Sequence, residues 1–142
     1  MIDSYFLKTV PKFNLNVSRE TLERLDEYAK DIILKNKEIN LISKSTESSI
    51  KSRHIIDSMQ IIDFINKNDI KTCTDLGSGA GLPGIVLGII MSSKKPSFKV
   101  IFYEKSYHKS NFLREMSKKF KLDAEIYQKN IFNEKNLITD VI

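Results

Sequence analysis

The stretch Asp75-Leu76-Gly77-Ser78-Gly79-Ala80-Gly81-Leu82-Pro83-Gly84 decides the fold. A short β-rich run, Lys71 to Leu76, leads into it, and an apolar helical run, Leu82 to Met91, leads out. Glycines at alternate positions let a chain turn sharply at the end of a strand and approach a ligand with bare backbone. The helix that follows offers unpaired N–H groups at its start. Pro83 is expected in its first turn, where a missing N–H costs little.

Working outward, the elements alternate. Lys99 to Tyr103 reads as a second strand ending at Glu104, and Tyr107 to Phe120 as an amphipathic helix with Phe112, Leu113, Met116 and Phe120 inward. Ala124 to Gln128 is a third strand, and Asp140-Val141-Ile142 looks like the start of a fourth. Upstream, Arg19 to Lys35 carries Leu22, Leu25, Ala29, Ile32 and Ile33 at helical spacing, with Ser18 as N-cap. A second helix is predicted from about Glu47 to Ile65, burying Ile50, Ile55, Met59, Ile62 and Ile65, with Asn36 to Ser45 irregular between the two. The pattern predicts an α/β protein with a parallel sheet and right-handed crossovers. Residues 1–70 form an N-terminal helical extension and 71–142 the first part of a nucleotide-binding domain, with the C-terminal strands missing.

Two ligand classes compete for the loop. Gly79 to Gly84 satisfies G-x-G-x-x-G, and Glu104 lies 20 residues beyond Gly84, where an acid reaches ribose hydroxyls. That suits a dinucleotide. Asp75 immediately before the turn favours a methyl donor instead, because an anion there crowds a pyrophosphate but helps orient the cationic amino end of S-adenosylmethionine. The cofactor set expected from the loop itself is Asp75, Gly77, Gly79, Gly81 and Glu104. A glycine turn with no ligand is the third reading.

Composition narrows the class. The chain of 142 residues is 41% hydrophobic and 29% charged, enough for one cored domain with a charged surface. Its one cysteine, Cys73, excludes an intrachain disulfide and is read as core packing. No stretch is apolar and long enough to span a bilayer, and the N-terminus lacks a signal-peptide pattern. A cytoplasmic protein is expected, with a monomer assumed and no metal. The net charge of +5 is uneven, +1 over residues 1–72 and +4 over 73–142. A positive surface draws phosphate backbones, though a solvated lysine face explains it as well.

Asp75 to Gly84, with Glu104-Lys105-Ser106 and Phe112-Leu113-Arg114, resembles the bacterial small-subunit ribosomal RNA guanine-N7 methyltransferases, also called glucose-inhibited division protein B. Asn40-Leu41-Ile42-Ser43 and Arg53-His54-Ile55-Ile56-Asp57-Ser58 are similar to two further signatures of that family, and Gly81-Leu82-Pro83-Gly84 is more particular to it than the glycine turn. The resemblance implies a Rossmann-like S-adenosylmethionine-dependent methyltransferase fold with a helical extension. It implies methyl transfer to N7 of one guanine in 16S ribosomal RNA, with the small ribosomal subunit or its RNA as partner. Cofactor-contacting positions fall by resemblance on Gly77, Leu82, Glu104 and the pair Ile131 and Phe132; the second of that pair is usually acidic in the family. Family members continue after the fourth strand with a Ser-Arg-Ala segment whose arginine serves the active site, and this chain stops where that segment should begin.

Guanine N7 already carries a lone pair, so no nucleophile or general base is sought. Arg53, His54 and Asp57 can share a helix face and are the candidates nearest the acceptor. Their alternative role is a buried polar network between extension and sheet. Lys105, Lys109 and Arg114, within a basic stretch that also holds His108, Lys118, Lys119 and Lys121, are candidate RNA contacts, against a solvated face. Three other functions stay open: a truncated remnant without catalytic activity, a dinucleotide-binding oxidoreductase fragment, and a small-molecule methyltransferase.

Overall fold

A computed structural model describes residues 4–13, 16–137, 139 and 140. Val141 and Ile142 of the expected fourth strand lie outside the described residues. Three parallel strands, β1 (Thr72–Leu76), β2 (Lys99–Tyr103) and β3 (Ala124–Tyr127), form a sheet in the order β1-β2-β3. Helices α5 (Gly84–Lys94) and α6 (Tyr107–Lys119) make the crossovers. Ahead of the sheet come α1 (Ser4–Thr9), α2 (Arg19–Lys35) and a helical stretch that ends in α3 (Asp57–Met59) and α4 (Ile61–Lys67).

Helix α2 begins where its cap requires. The Ser18 side chain accepts from the Thr21 N–H, and Glu20 puts negative charge in the first turn. Leu22, Leu25, Tyr28, Ala29 and Ile32 are buried along one face. The polar loop after it is organised by a single side chain. Asn36 Oδ1 accepts from the Leu41 and Ile42 N–H groups at 2.8 and 3.0 Å, and its Nδ2 donates to Glu47.

The second helix is not one regular element. Lys44–Ser49 is a 3₁₀ segment, Lys51–Ile56 a π-helical one, and Gln60 is a turn between α3 and α4. The expected apolar stripe is buried throughout, including Ile50, Ile55, Met59, Ile62 and Ile65. Its first interval explains the geometry. Ile50 and Ile55 are five residues apart, too far for one α-helical turn, and a π turn with i→i+5 hydrogen bonds absorbs the surplus so that both side chains reach the core.

Helix α5 also differs at its edges. Its regular part starts at Gly84, with Pro83 as the cap residue after a cis Leu82–Pro83 bond, so Pro83 lies outside the first turn. It runs on to Lys94 rather than ending at Met91, with Ser92 and Ser93 hydroxyls donating back to the Ile89 and Ile90 carbonyls. α5 is buried nearly all round, as a helix packed against β1, β2, α2, α3 and α6 must be.

One hydrophobic cluster runs from Phe6 and α2 through Ile55, Met59 and Ile89 to Phe102, Phe112 and Phe120. The helical extension and the sheet are therefore two sides of the same core. Asp140 lies at the edge of β1 away from β2, where its carboxylate accepts from the Lys71 and Thr72 N–H groups and its own N–H donates to the Thr72 carbonyl.

Candidate functional site

The loop leaves β1 at Leu76 and is pinned at once to β2: the Gly77 and Ser78 N–H groups donate to the Tyr103 carbonyl at 2.9 and 3.1 Å. Gly77, Gly79 and Gly81 all have positive φ. The demand is sharpest at Gly81, where φ is +91° and a Cβ would stand 2.4 Å from Ile85 Cγ1. At Gly84 the reason is space alone, since a Cβ there would meet the Phe102 ring at 2.4 Å and Asp75 Oδ2 at 2.7 Å.

Two buried carboxylates brace the loop from beneath. Asp75 Oδ2 accepts from the Gly84 N–H at 3.0 Å, joining the end of β1 to the start of α5. Glu104, at the end of β2, accepts from the Gly79 N–H through Oε2 and from the Ser106 N–H through Oε1, both at 2.8 Å. Both residues are buried. Burial pushes the Asp75 carboxyl up to about 6, and the neighbouring Glu104 charge adds to the rise. Ser106 also caps α6, its side chain accepting from the Lys109 N–H.

Beside the loop lies a cleft of about 270 Å³ lined by Arg53, His54, Asp57, Ser58, Leu82 and Pro83. The π-helical segment supplies Arg53 and His54, α3 supplies Asp57, and the glycine loop supplies the opposite wall. Arg53 and Asp57 are exposed, so they form an open polar wall and not a buried tie between extension and sheet. His54 is half-buried, with Nε2 3.1 Å from the Thr46 hydroxyl, and burial lowers its pKa. A more apolar hollow of about 330 Å³ continues along β1, lined by Cys73, Thr74, Asp75 and Leu76 and sharing Ile61 and Pro83 with the cleft.

The remaining predicted residues sit apart from this centre. Ile131 and Phe132 occupy a 3₁₀ turn (Ile131–Asn133) beyond β3, and Phe132 is 91% exposed. The end of β3 abuts the acidic strand end, because the Glu104 N–H donates to the Tyr127 carbonyl at 3.1 Å. Lys105 and Arg114 are exposed and Lys109 half-buried, at the start and along the surface of α6. Lys119 turns back to pair with Glu27 and Asp31 of α2. Cys73 is buried, and burial raises its thiol to about 11. Among the described residues no group of His, Cys, Asp and Glu is arranged to hold a metal ion, and no helix is long and apolar enough to cross a membrane.

Sequence reasoning missed Ser58, Ile61 and Pro83 as lining residues, and it missed the π-helical segment behind them. The five-residue gap between Ile50 and Ile55 was the available signal.

A parallel sheet with a glycine turn after β1, an acid closing β2 and crossover helices between them is the opening half of a Rossmann-like methyltransferase fold. Residues 21–142 match the family model described as GidB, rRNA small subunit methyltransferase G, and the chain belongs to that family. It is 45% identical over 131 residues to a protein of Pelagibacter ubique named ribosomal RNA small subunit methyltransferase G, covering 91% of this chain and 61% of that one. A protein of the same name from Ruegeria pomeroyi is 38% identical over 135 residues, covering 94% of this chain and 65% of the relative. Another from Cereibacter sphaeroides (strain ATCC 17025 / ATH 2.4.3) is 44% identical over 114 residues, covering 80% and 54%. The chain thus spans less than two thirds of the length of these curated relatives.

Proposed function

We propose that this chain carries the S-adenosylmethionine site and part of the acceptor wall of an enzyme that methylates N7 of a guanine in 16S ribosomal RNA. The observation that carries the reading is the loop braced between Asp75 and Glu104, opening beside the Arg53–Asp57 cleft. The loop fits the cofactor on its own chemistry. A carboxylate has about four lone-pair sites. Each Glu104 oxygen accepts one backbone N–H, leaving capacity for ribose hydroxyl donors. Bare backbone at Gly77 to Gly81 permits the close approach a nucleoside needs. Asp75 supplies negative potential for an amino group, and the same charge would repel a pyrophosphate. Ile131 and Phe132, after β3, are assigned to the far side of the nucleoside.

When bound, the cofactor supplies an electrophilic methyl group on a sulfonium. The chain's own task is to hold guanine N7 in line and to tolerate the positive charge that grows on the purine. Arg53, His54 and Asp57 line the wall where the base would stack against Leu82 and Pro83. A neutral His54 offers a hydrogen-bonding edge without adding positive charge, and Asp57 offsets the developing cation. Lys105, Lys109 and Arg114 hold ribosomal RNA phosphates, which positions the substrate without specifying its sequence. No proton has to be removed first.

Calorimetry of this chain with S-adenosylmethionine, S-adenosylhomocysteine and NAD tests the site. Binding of the first two supports the reading, and binding of NAD alone overturns it. Methyl transfer to undermodified small ribosomal subunits tests catalysis separately.

A further inference from the structure

The glycine loop is gripped from outside the sheet. Tyr28, in α2, is fully buried, and its hydroxyl donates to the Ala80 carbonyl at 2.6 Å across 52 residues of chain. Ala80 is itself buried and sits between the left-handed Gly79 and Gly81, at the centre of the turn. Burial raises the Tyr28 pKa well above the usual phenol value, with the Asp75 charge adding to the rise, so the hydroxyl stays a donor. The Tyr28 ring meets Phe120 edge-on, with centroids 6.2 Å apart.

Helix α2 is also held rigidly around this contact. Arg24, one turn earlier, donates to the Ser92 hydroxyl at 2.9 Å and to the Phe120 carbonyl. Lys119 pairs with Glu27 at 2.8 Å and Asp31 at 2.6 Å. The donor therefore comes from an element fixed to α5 and α6, the two helices that flank the loop.

We infer that Tyr28 is a positioning residue for the cofactor loop: the helical extension sets the loop's conformation through this one hydroxyl, and with it the loop's affinity for ligand. The inference rests on the methyl-donor reading of the loop. A merely structural tyrosine would lower stability everywhere. A positioning tyrosine loosens the loop selectively.

Native-state amide hydrogen exchange separates the two in this chain. Tyr28→Phe keeps the ring and removes the donor. It should speed exchange at the Gly79, Gly81 and Gly84 amides roughly three- to tenfold, the span of one net hydrogen bond. The Lys99 and Val100 amides, bonded within the sheet region, should stay within about twofold of the parent, on the view that local openings are separable from global ones. Phe120→Leu, which alters packing against Tyr28 without touching the hydroxyl, should raise exchange without singling out the loop. Unchanged loop exchange in Tyr28→Phe, or a rise shared equally with Lys99 and Val100, overturns the inference. S-adenosylhomocysteine affinity should fall by a similar factor, and equal affinity in parent and Tyr28→Phe also overturns it. If the parent binds no S-adenosylhomocysteine, the methyl-donor reading fails while the exchange comparison still decides the role of Tyr28.

Discussion

The Asp75 carboxylate accepts the Gly84 N–H at 3.0 Å, so a buried acid ties the end of β1 to the first residue of α5. Its burial carries a cost that is visible in pH. With the carboxyl raised to about 6 from an ordinary 3.8, the folded state holds this proton more tightly than the unfolded chain. Stability is therefore favoured below about pH 4 and is lost progressively as pH rises through 6.

Asp75→Asn retains an acceptor for Gly84 and removes the ionisation. The variant should be more stable than the parent at pH 8, by up to about 3 kcal/mol for a shift of about two units, and equal to it near pH 4. The same change should weaken S-adenosylhomocysteine binding. Urea melts across this range check the prediction, and a variant less stable at pH 8 would contradict it.

The glycines of the loop should not be equivalent. Gly81→Ala combines a φ of +91° with a Cβ 2.4 Å from Ile85 and 2.9 Å from Leu113. It should cost roughly 3 kcal/mol, strain and overpacking together. Gly79→Ala, with Gly77 O at 4.0 Å as its nearest neighbour, meets only backbone strain and should cost about 1 kcal/mol. Equal costs by chemical denaturation would count against the loop geometry.

Arg53 is exposed on the cleft wall, so Arg53→Ala should leave stability within about 0.5 kcal/mol of the parent. In a full-length relative the same change should lower methyl transfer at least tenfold while cofactor affinity holds. Normal transfer in a normally folded variant would remove Arg53 from the acceptor wall.

The basic start of α6 makes a salt-dependent prediction. Replacing Lys105, Lys109 and Arg114 together with glutamine should make the log–log salt slope of 16S RNA binding shallower by about two, at roughly 0.7 per lost phosphate contact. Anisotropy titrations at several salt concentrations measure it. An unchanged slope would assign these side chains to a solvated face.

Much of this architecture was legible in the chain because local chemistry and tertiary burial agreed. Ser18 capping, Glu20 behind it and an apolar period through Ile32 marked α2, and the structure runs it from Arg19 to Lys35. The β2 run matched from Lys99 to Tyr103, where branched and aromatic residues lead into a buried acid. The π-helical segment was not legible from periodicity, since a 3.6-residue template simply skips the extra residue between Ile50 and Ile55. Nor could Asn36 be seen to organise its loop: one polar side chain satisfying two backbone donors five and six residues away leaves no periodic trace. Asp75 before the turn and Glu104 at the end of β2 stand out in the chain as acids, but that Glu104 accepts the Gly79 N–H and Asp75 the Gly84 N–H appears only in three dimensions.

The single hydrophobic cluster that joins Leu25, Ile32 and Ile55 to Ile89 and Phe112 bears on how such a chain can be inherited. A recombination point near residue 70 would pair half of one lineage's interior with half of another's, and the two surfaces would have to match methylene for methylene to pack at native density. Grafting the glycine turn alone onto a foreign helical partner would meet the same obstacle. A chimera joined near residue 70 should therefore be less stable than either parent unless the two interiors keep their combined volume.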